Sequence, residues 1–143
     1  MPAPATAVLD TNVLLDWLVF RDPRVASLAA AVQGRQLRWL ACGRMRQELE
    51  HMLAHRSLAD WAPEAGAALA TFDTLAELQP EPPPAAPGLQ CSDADDQVFV
   101  DLALAHRARW LLTHDRALLK LARRAAARGL VIAPPLRWPA GGA

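Results

Sequence analysis

The chain has 143 residues, of which 52% are hydrophobic, so it is long enough to bury the core of a single domain. Fifteen Lys and Arg residues balance fifteen Asp and Glu residues, which excludes a uniformly basic nucleic-acid binder and an acidic disordered protein. No apolar run approaches the roughly 20 residues that span a bilayer, and two cysteines are too few for a disulfide framework or a four-ligand zinc site. Together with an N-terminus that lacks the pattern of a secretory signal, these features favour a cytoplasmic protein without a membrane partner.

Short apolar runs alternate with helical patterns along the chain. Compact runs predict strands at residues 5–9, 37–41, 110–113 and 130–133, with a further short strand at 75–78. Helical spacing predicts helices at residues 13–20, 23–32, 43–56, 63–72, 92–106 and 115–128. Ser92 with Asp95 three residues later matches a capping box at the start of the fifth helix. The stretch 80–90 contains five prolines, so it is a loop.

This alternation predicts the fold class. Strands separated by helices form a mainly parallel sheet, here of four to five strands, with helices on both faces in a three-layer α/β/α sandwich. The whole chain, 1–143, is expected to be one domain with its core at about residues 5–133, and the proline-rich loop lies within it. In such a sheet, ligands bind beyond the carboxyl ends of the strands.

Four acidic residues from separate segments are expected at that edge. Asp10 follows the first strand, and Asp115 follows the strand at 110–113. Glu48 lies early in the helix after the second strand, and Asp96 lies near the start of a helix that leads into a strand. Clustered carboxylates repel one another, and Mg²⁺ or Mn²⁺ is the usual remedy, because Zn²⁺ prefers His and Cys.

Each acid also has an interpretation without chemistry. A single Asp after a strand is more often a turn or a helix cap, and Glu48 could pair with Arg44 one turn earlier. Acidic residues at a helix start are favoured by the helix dipole alone. Successive helical residues point about 100° apart, so Asp95 and Asp96 compete for one position facing an ion, and Asp93 could add an outer contact.

The segments around these acids resemble the motifs of the PIN domain family. Four segments carry the likeness, in the family's order across about residues 5–133: VLDTNVL at 8–14, QEL at 47–49, DDQVFVDLA at 95–103 and LTHDR at 112–116. The likeness is closest to the bacterial PIN subfamily described as toxin components of toxin–antitoxin pairs.

The resemblance implies a metal-dependent endoribonuclease whose products carry a 5′-phosphate and a 3′-hydroxyl. It places the ligands of Mg²⁺ or Mn²⁺ at Asp10, Glu48, Asp96 and Asp115. Asn12 and Thr113 match polar motif positions that orient the acids or a water molecule. The resemblance also implies RNA as the substrate, a small antitoxin protein as a partner, and a homodimer.

Arginines near the acids are candidates for holding the substrate. Arg44 and Arg46 precede Glu48 on its helix, and Arg116 follows Asp115, so these side chains could hold phosphates on either side of the cut. The alternative is surface ion pairing, such as Arg46 with Glu50 four residues later.

Two other functions compete with the nuclease. A phosphotransferase of the haloacid-dehalogenase type also uses an Asp after its first strand, but it needs a second Asp where this chain has Asn12. A PIN-like binding or regulatory protein with little or no nuclease activity is the stronger alternative, and the intact set of acids argues against lost chemistry.

Overall fold

The structure is a computed structural model, and it describes residues 3–84 and 88–138. Five strands form one sheet: β1 (Ala5–Leu9), β2 (Leu37–Cys42), β3 (Glu77–Gln79), β4 (Trp110–Leu112) and β5 (Val131–Ala133). Their spatial order is β3-β2-β1-β4-β5, and all four neighbouring pairs are parallel. The predicted parallel sheet is confirmed.

Seven helices connect the strands in the described residues: α1 (Thr11–Leu18), α2 (Ala26–Gln33), α3 (Gly43–Leu53), α4 (Ala62–Leu75), α5 (Gln97–Ala105), α6 (Arg116–Leu119) and α7 (Ala122–Ala126). Helices α1, α3 and α4 pack against one another, while α5 packs on β1, β2 and β4, and α7 packs on β5. The crossovers containing α1 to α4 run one way along the sheet and those containing α5 to α7 run the other way, so the right-handed rule puts the two groups on opposite faces, in agreement with the predicted three layers. None of the helices in the described residues has the length and apolar character needed to cross a bilayer.

The apolar runs form strands because the central sheet buries them on both faces. Trp39 on β2 is 1% exposed, and its ring lies 5.4 Å from that of Trp17 on α1 and 5.0 Å from that of Phe72 on α4. This aromatic cluster joins the sheet to its first helical layer.

The strand order reverses between β1 and β4. After β1 the chain moves towards β2, and after β4 it moves towards β5, so the two following helices diverge and leave a crevice between their starts. This carboxyl edge of the sheet therefore receives the residues after both strands.

Two local predictions were wrong. The helix at 115–128 is two short helices, because Leu121 N–H bonds to Leu118 O at 3.0 Å and tightens the turn between α6 and α7. The Ser92–Asp95 capping box does not form. Instead, the Asp93 side chain accepts the Asp95 N–H at 3.0 Å and caps a 3₁₀ turn, Ala94–Asp96, before α5 begins.

Other boundaries differ by a few residues. Helix α4 continues to Leu75, so the third strand begins at Glu77, two residues later than predicted. Residues 80–84 have no helix or strand, which agrees with the predicted proline-rich loop, and residues 85–87 of that loop lie outside the described residues.

Candidate active site

Asp10 is the buried centre of the candidate site. It directly follows β1 and is 4% exposed. Its Oδ1 accepts the Val13 N–H at 3.0 Å, which caps α1, and its Oδ2 accepts a hydrogen bond from the Thr113 hydroxyl. Burial raises the pKa of Asp10, the two hydrogen bonds oppose that rise, and the charge of Asp115 adds to it.

Thr113 links the ends of the two central strands. Its side chain is fully buried, and its hydroxyl oxygen accepts the Asp115 N–H at 2.9 Å while donating to Asp10. The Asp115 carboxyl then accepts the Ala117 N–H at 2.7 Å and caps α6. One chain of hydrogen bonds therefore fixes Asp10 and Asp115 relative to each other across the crevice.

Asp96 faces this pair from the start of α5. Burial raises the pKa of Asp96 to about 7, and a hydrogen bond with the Asp115 carboxyl and the charges of Asp115, Asp93 and Asp10 add to the rise. The Asp96 carboxyl therefore keeps its proton to a higher pH than an exposed aspartate does.

Glu48 approaches from α3 on the other side of Asp10. Its side chain is half-buried, and burial raises its pKa, with smaller contributions from the charges of Asp10, Asp95 and Asp93. The buried Thr11 hydroxyl lies close enough to Glu48 to lower the pKa of that carboxyl. The Thr11 hydroxyl oxygen makes no hydrogen bond of ordinary geometry in the described residues.

The structure therefore brings the four predicted acids to one edge of the sheet. Asp95 and Asp96 act on different neighbours there: Asp96 faces Asp10 and Asp115, whereas Asp95 acts on Glu48. This division agrees with the expectation that the two adjacent residues cannot face the same point. Four clustered carboxylates, of which Asp10, Glu48 and Asp96 have raised pKa values, are unfavourable on their own, and a bound cation would relieve their repulsion.

The donor set fits a hydrated Mg²⁺ or Mn²⁺ ion in its chemistry. All four side chains offer hard oxygen ligands. In the described ranges, no three His, Cys, Asp or Glu side chains converge closely enough to enclose an ion by themselves. Mg²⁺ usually keeps several waters and uses only one or two carboxylates, so it does not require a closed protein cage.

The arginines predicted to hold substrate have different surroundings. Arg44 is exposed and lines a cleft of about 430 Å³ with Glu48 and Asp95. Arg46 instead bonds through its guanidinium to Asp73 on α4 at 2.8 and 2.9 Å, and it lies 3.9 Å from Glu50.

Two further predicted residues start helices beside the edge. Asn12 is the second residue of α1, directly after Thr11, and Arg116 is the first residue of α6, and both are exposed. Neither side chain is held in a buried contact of the kind that fixes Thr113.

Two side chains near the acids were not predicted. Glu81 accepts the Arg44 N–H at 3.0 Å at the start of α3, and the Cys42 thiol lies 3.5 Å from its other oxygen. The Gln97 side chain forms hydrogen bonds with the backbone of Leu89 and Cys91, in the loop before α5. The contacts of Glu81 are distant in sequence, and those of Gln97 depend on the path of the preceding loop, so no motif signals either residue.

Comparisons with known proteins agree with this geometry. The family model described as PIN domain matches residues 6–117. The fold is similar to the crystal structure of VapBC2 from Rickettsia felis bound to a DNA fragment from their promoter, with a TM-score of 0.60 and 15% identity. That match covers 89% of this chain and 96% of the other. A search of curated proteins gives no match.

Proposed function

Since the chain belongs to the PIN domain family, we propose that it is a metal-dependent endoribonuclease that cleaves phosphodiester bonds of single-stranded or structured RNA. The observation that carries the proposal is the meeting of acids from four separate segments at the switch in strand order, where burial and mutual repulsion raise the pKa of three of them: Asp10, Glu48 and Asp96. A fold does not build such a cluster for stability, because it costs free energy until a cation binds.

In this proposal, Asp10, Glu48, Asp96 and Asp115 hold Mg²⁺ or Mn²⁺ directly or through water. When bound, such an ion lowers the pKa of a coordinated water and neutralises charge that develops on the phosphate oxygens. Thr113 keeps the Asp10 carboxyl oriented, and Asn12 would orient an acid or a water from the exposed start of α1.

The Asp96 carboxyl must lose its proton before it can bind a cation as a carboxylate. Because the pKa of Asp96 is raised to about 7, proton and metal compete near neutral pH. We expect cleavage to rise between pH 6 and pH 8 at limiting Mn²⁺, and the dependence should weaken at saturating Mn²⁺.

Substrate would be held by arginines on both sides of the acids. Arg44 lies in the cleft beside Glu48, and Arg116 begins the helix after Asp115, so their guanidinium groups can bind phosphates that flank the cut. Arg46 contributes only if its ion pair with Asp73 breaks, so it ranks below the other two.

Cleavage of end-labelled single-stranded RNA tests the proposal. With Mn²⁺, the wild-type protein should produce fragments with 5′-phosphate and 3′-hydroxyl ends, and EDTA should stop the reaction. Asp10→Asn and Asp96→Asn should each slow cleavage by about tenfold or more, whereas Asp60→Asn, an exposed change outside the site, should not. Unchanged cleavage in both site variants would overturn the assignment of these acids, and no cleavage by the wild type would favour a binding protein instead.

We further infer that the protein is the toxin of a type II toxin–antitoxin pair, acts in the cytoplasm and forms a homodimer. Support for the toxin–antitoxin pairing comes from the similar fold of the Rickettsia felis complex, while the cytoplasm and the homodimer are inferred from the resemblance to the family. Induced expression in a bacterial host should arrest growth, and we expect a gene for a small protein beside this one whose co-expression restores growth. Asp96→Asn should not arrest growth. A wild-type protein that leaves growth unaffected would contradict the toxin assignment. The molar mass in solution, measured by light scattering, would distinguish a homodimer from a monomer.

A further inference from the structure

The loop before α5, which carries Asp93, Asp95 and Asp96, is joined to the start of that helix by the side chain of Gln97. Gln97, the first residue of α5, is half-buried, and its Oε1 accepts the Cys91 N–H at 2.5 Å. Its Nε2 donates to Leu89 O at 3.0 Å and to Asp101 Oδ1 at 2.9 Å. Leu89 and Cys91 are themselves buried, so the anchored backbone is part of the packed interior.

The contacts of Gln97 require a carboxamide. Its oxygen faces an N–H donor, and both hydrogens of its amino group face oxygen acceptors. A glutamate at this position would keep the bond from Cys91, but it would place a carboxylate against the Leu89 carbonyl and the Asp101 carboxyl. An apolar side chain of similar length would lose all three bonds.

This closure sets the position of the acids. The bond between Cys91 and Gln97 joins residues six apart, and Asp93, Asp95 and Asp96 all lie between them. Within the loop, Asp93 caps the 3₁₀ turn that ends at Asp96. Asp96 is the residue before Gln97 in the chain. If the hydrogen bonds of Gln97 are lost, the position of the Asp96 carboxyl relative to Asp115 should therefore become variable.

We propose that Gln97 is a positioning residue, which holds the loop 89–96 against α5 so that Asp96 faces Asp10 and Asp115. This role rests on the proposed function, because it serves the cation that those acids would bind. Gln97 acts through the loop and does not touch the substrate. Its loss should therefore weaken cation binding and lower kcat, while KM for RNA should change little.

Two variants and one matched control test the role. Gln97→Glu removes the two donated bonds and Gln97→Met removes all three. Arg124→Gln removes another tether of the same loop, the bond from Nη1 to Gly88 O at 3.2 Å, which lies outside the closed segment. Mn²⁺ affinity is measured by calorimetry on the RNA-free proteins, below the melting temperature of each. Hydrogen exchange at the Cys91 amide reports the closure itself.

Both Gln97 variants should bind Mn²⁺ about 10- to 100-fold more weakly than the wild type. Gln97→Met should also exchange the Cys91 amide faster, and the Arg124 variant should match the wild type in both measurements. If the wild type cleaves RNA and the Gln97 variants bind Mn²⁺ as tightly as it does, the positioning role is overturned and the proposed function stands. A wild type that neither binds Mn²⁺ nor cleaves RNA would overturn the proposed function and this role with it. An unprotected Cys91 amide in the wild type would overturn the closure and the positioning role that depends on it, while the proposed function would stand.

Discussion

Removing the charge of Asp96 should stabilise the protein in the absence of divalent cations. Burial, followed by the hydrogen bond with Asp115, raises the pKa of Asp96 from 3.8 to about 7. A rise of that size corresponds to about 4 kcal/mol against the ionised form. Because the side chain is only half-buried, screening by water reduces this to about 1–2 kcal/mol. Asp96→Asn removes the ionisable group and should recover that free energy of unfolding.

The gain from Asp96→Asn depends on pH in a defined direction. The folded state binds the Asp96 proton more tightly than the unfolded state, so the wild type loses stability as pH rises from about 4 to about 7. The advantage of the variant should therefore be negligible near pH 4 and complete at pH 8.

Thermal unfolding in EDTA, followed by circular dichroism, measures this gain. For a chain of this length, about 1–2 kcal/mol should raise the Tm of Asp96→Asn by about 3–8 °C at pH 8. Asp60→Asn is the control, because it removes an exposed carboxylate outside the site. A lower Tm for Asp96→Asn than for the wild type at pH 8, or a difference as large at pH 4, would refute the reasoning.

Three further changes probe other parts of the account. Thr113→Val should lower the free energy of unfolding, measured in urea, by about 2–4 kcal/mol, because the Asp10 carboxylate and the Asp115 N–H lose their buried partner. A decrease below about 1 kcal/mol would contradict the importance of this hydrogen-bonded link. Trp39→Ala should lower the same free energy by about 3–5 kcal/mol, because it leaves a cavity at the centre of the aromatic cluster. A smaller decrease would mean that neighbouring side chains fill this cavity. Arg44→Ala should reduce the salt-dependence slope of RNA binding by about 0.7, as expected for one lost phosphate contact, whereas Arg46→Ala should leave the slope unchanged. Equal slopes for the two variants would remove Arg44 from the substrate site.

The sequence was sufficient to predict the layers of the fold and the edge that holds the acids. Buried parallel strands appear as apolar runs, and Asp10 comes directly after β1, while Asp115 follows the end of β4 after two intervening residues. Which strands are neighbours was not predicted, because pairing between β1 and β4 joins residues about one hundred positions apart. The crevice between these two strands is therefore a result of the structure.

Local chemistry explains most of the errors at helix ends. Ser92 and Asp95 match a capping box, but the Asp93 side chain accepts the N–H two residues on, and that bond forms instead. The residues from Arg116 to Ala126 have an unbroken helical pattern, so nothing in the sequence marks the tightened turn at Leu121.

The supporting contacts of the site were beyond prediction for a different reason. Gln97 occurs inside a motif, but its partners Leu89 and Cys91 are selected by the path of the loop. The sequence predicted Arg46 as a phosphate ligand, but in the structure α3 packs on α4 and Arg46 pairs with Asp73. Such contacts depend on tertiary geometry, which a pattern along one chain does not contain.

The most direct test of the central claim is a crystal of the wild-type protein grown or soaked with Mn²⁺, with data collected to show the anomalous signal of the metal. The account predicts a peak at the carboxyl edge between β1 and β4, with oxygen ligands from Asp10 and from at least one of Glu48, Asp96 and Asp115. The peak should disappear in Asp10→Asn crystals. A map with no peak at that edge at saturating Mn²⁺, or with a peak only elsewhere, would contradict the claim that these acids form a metal-dependent active site.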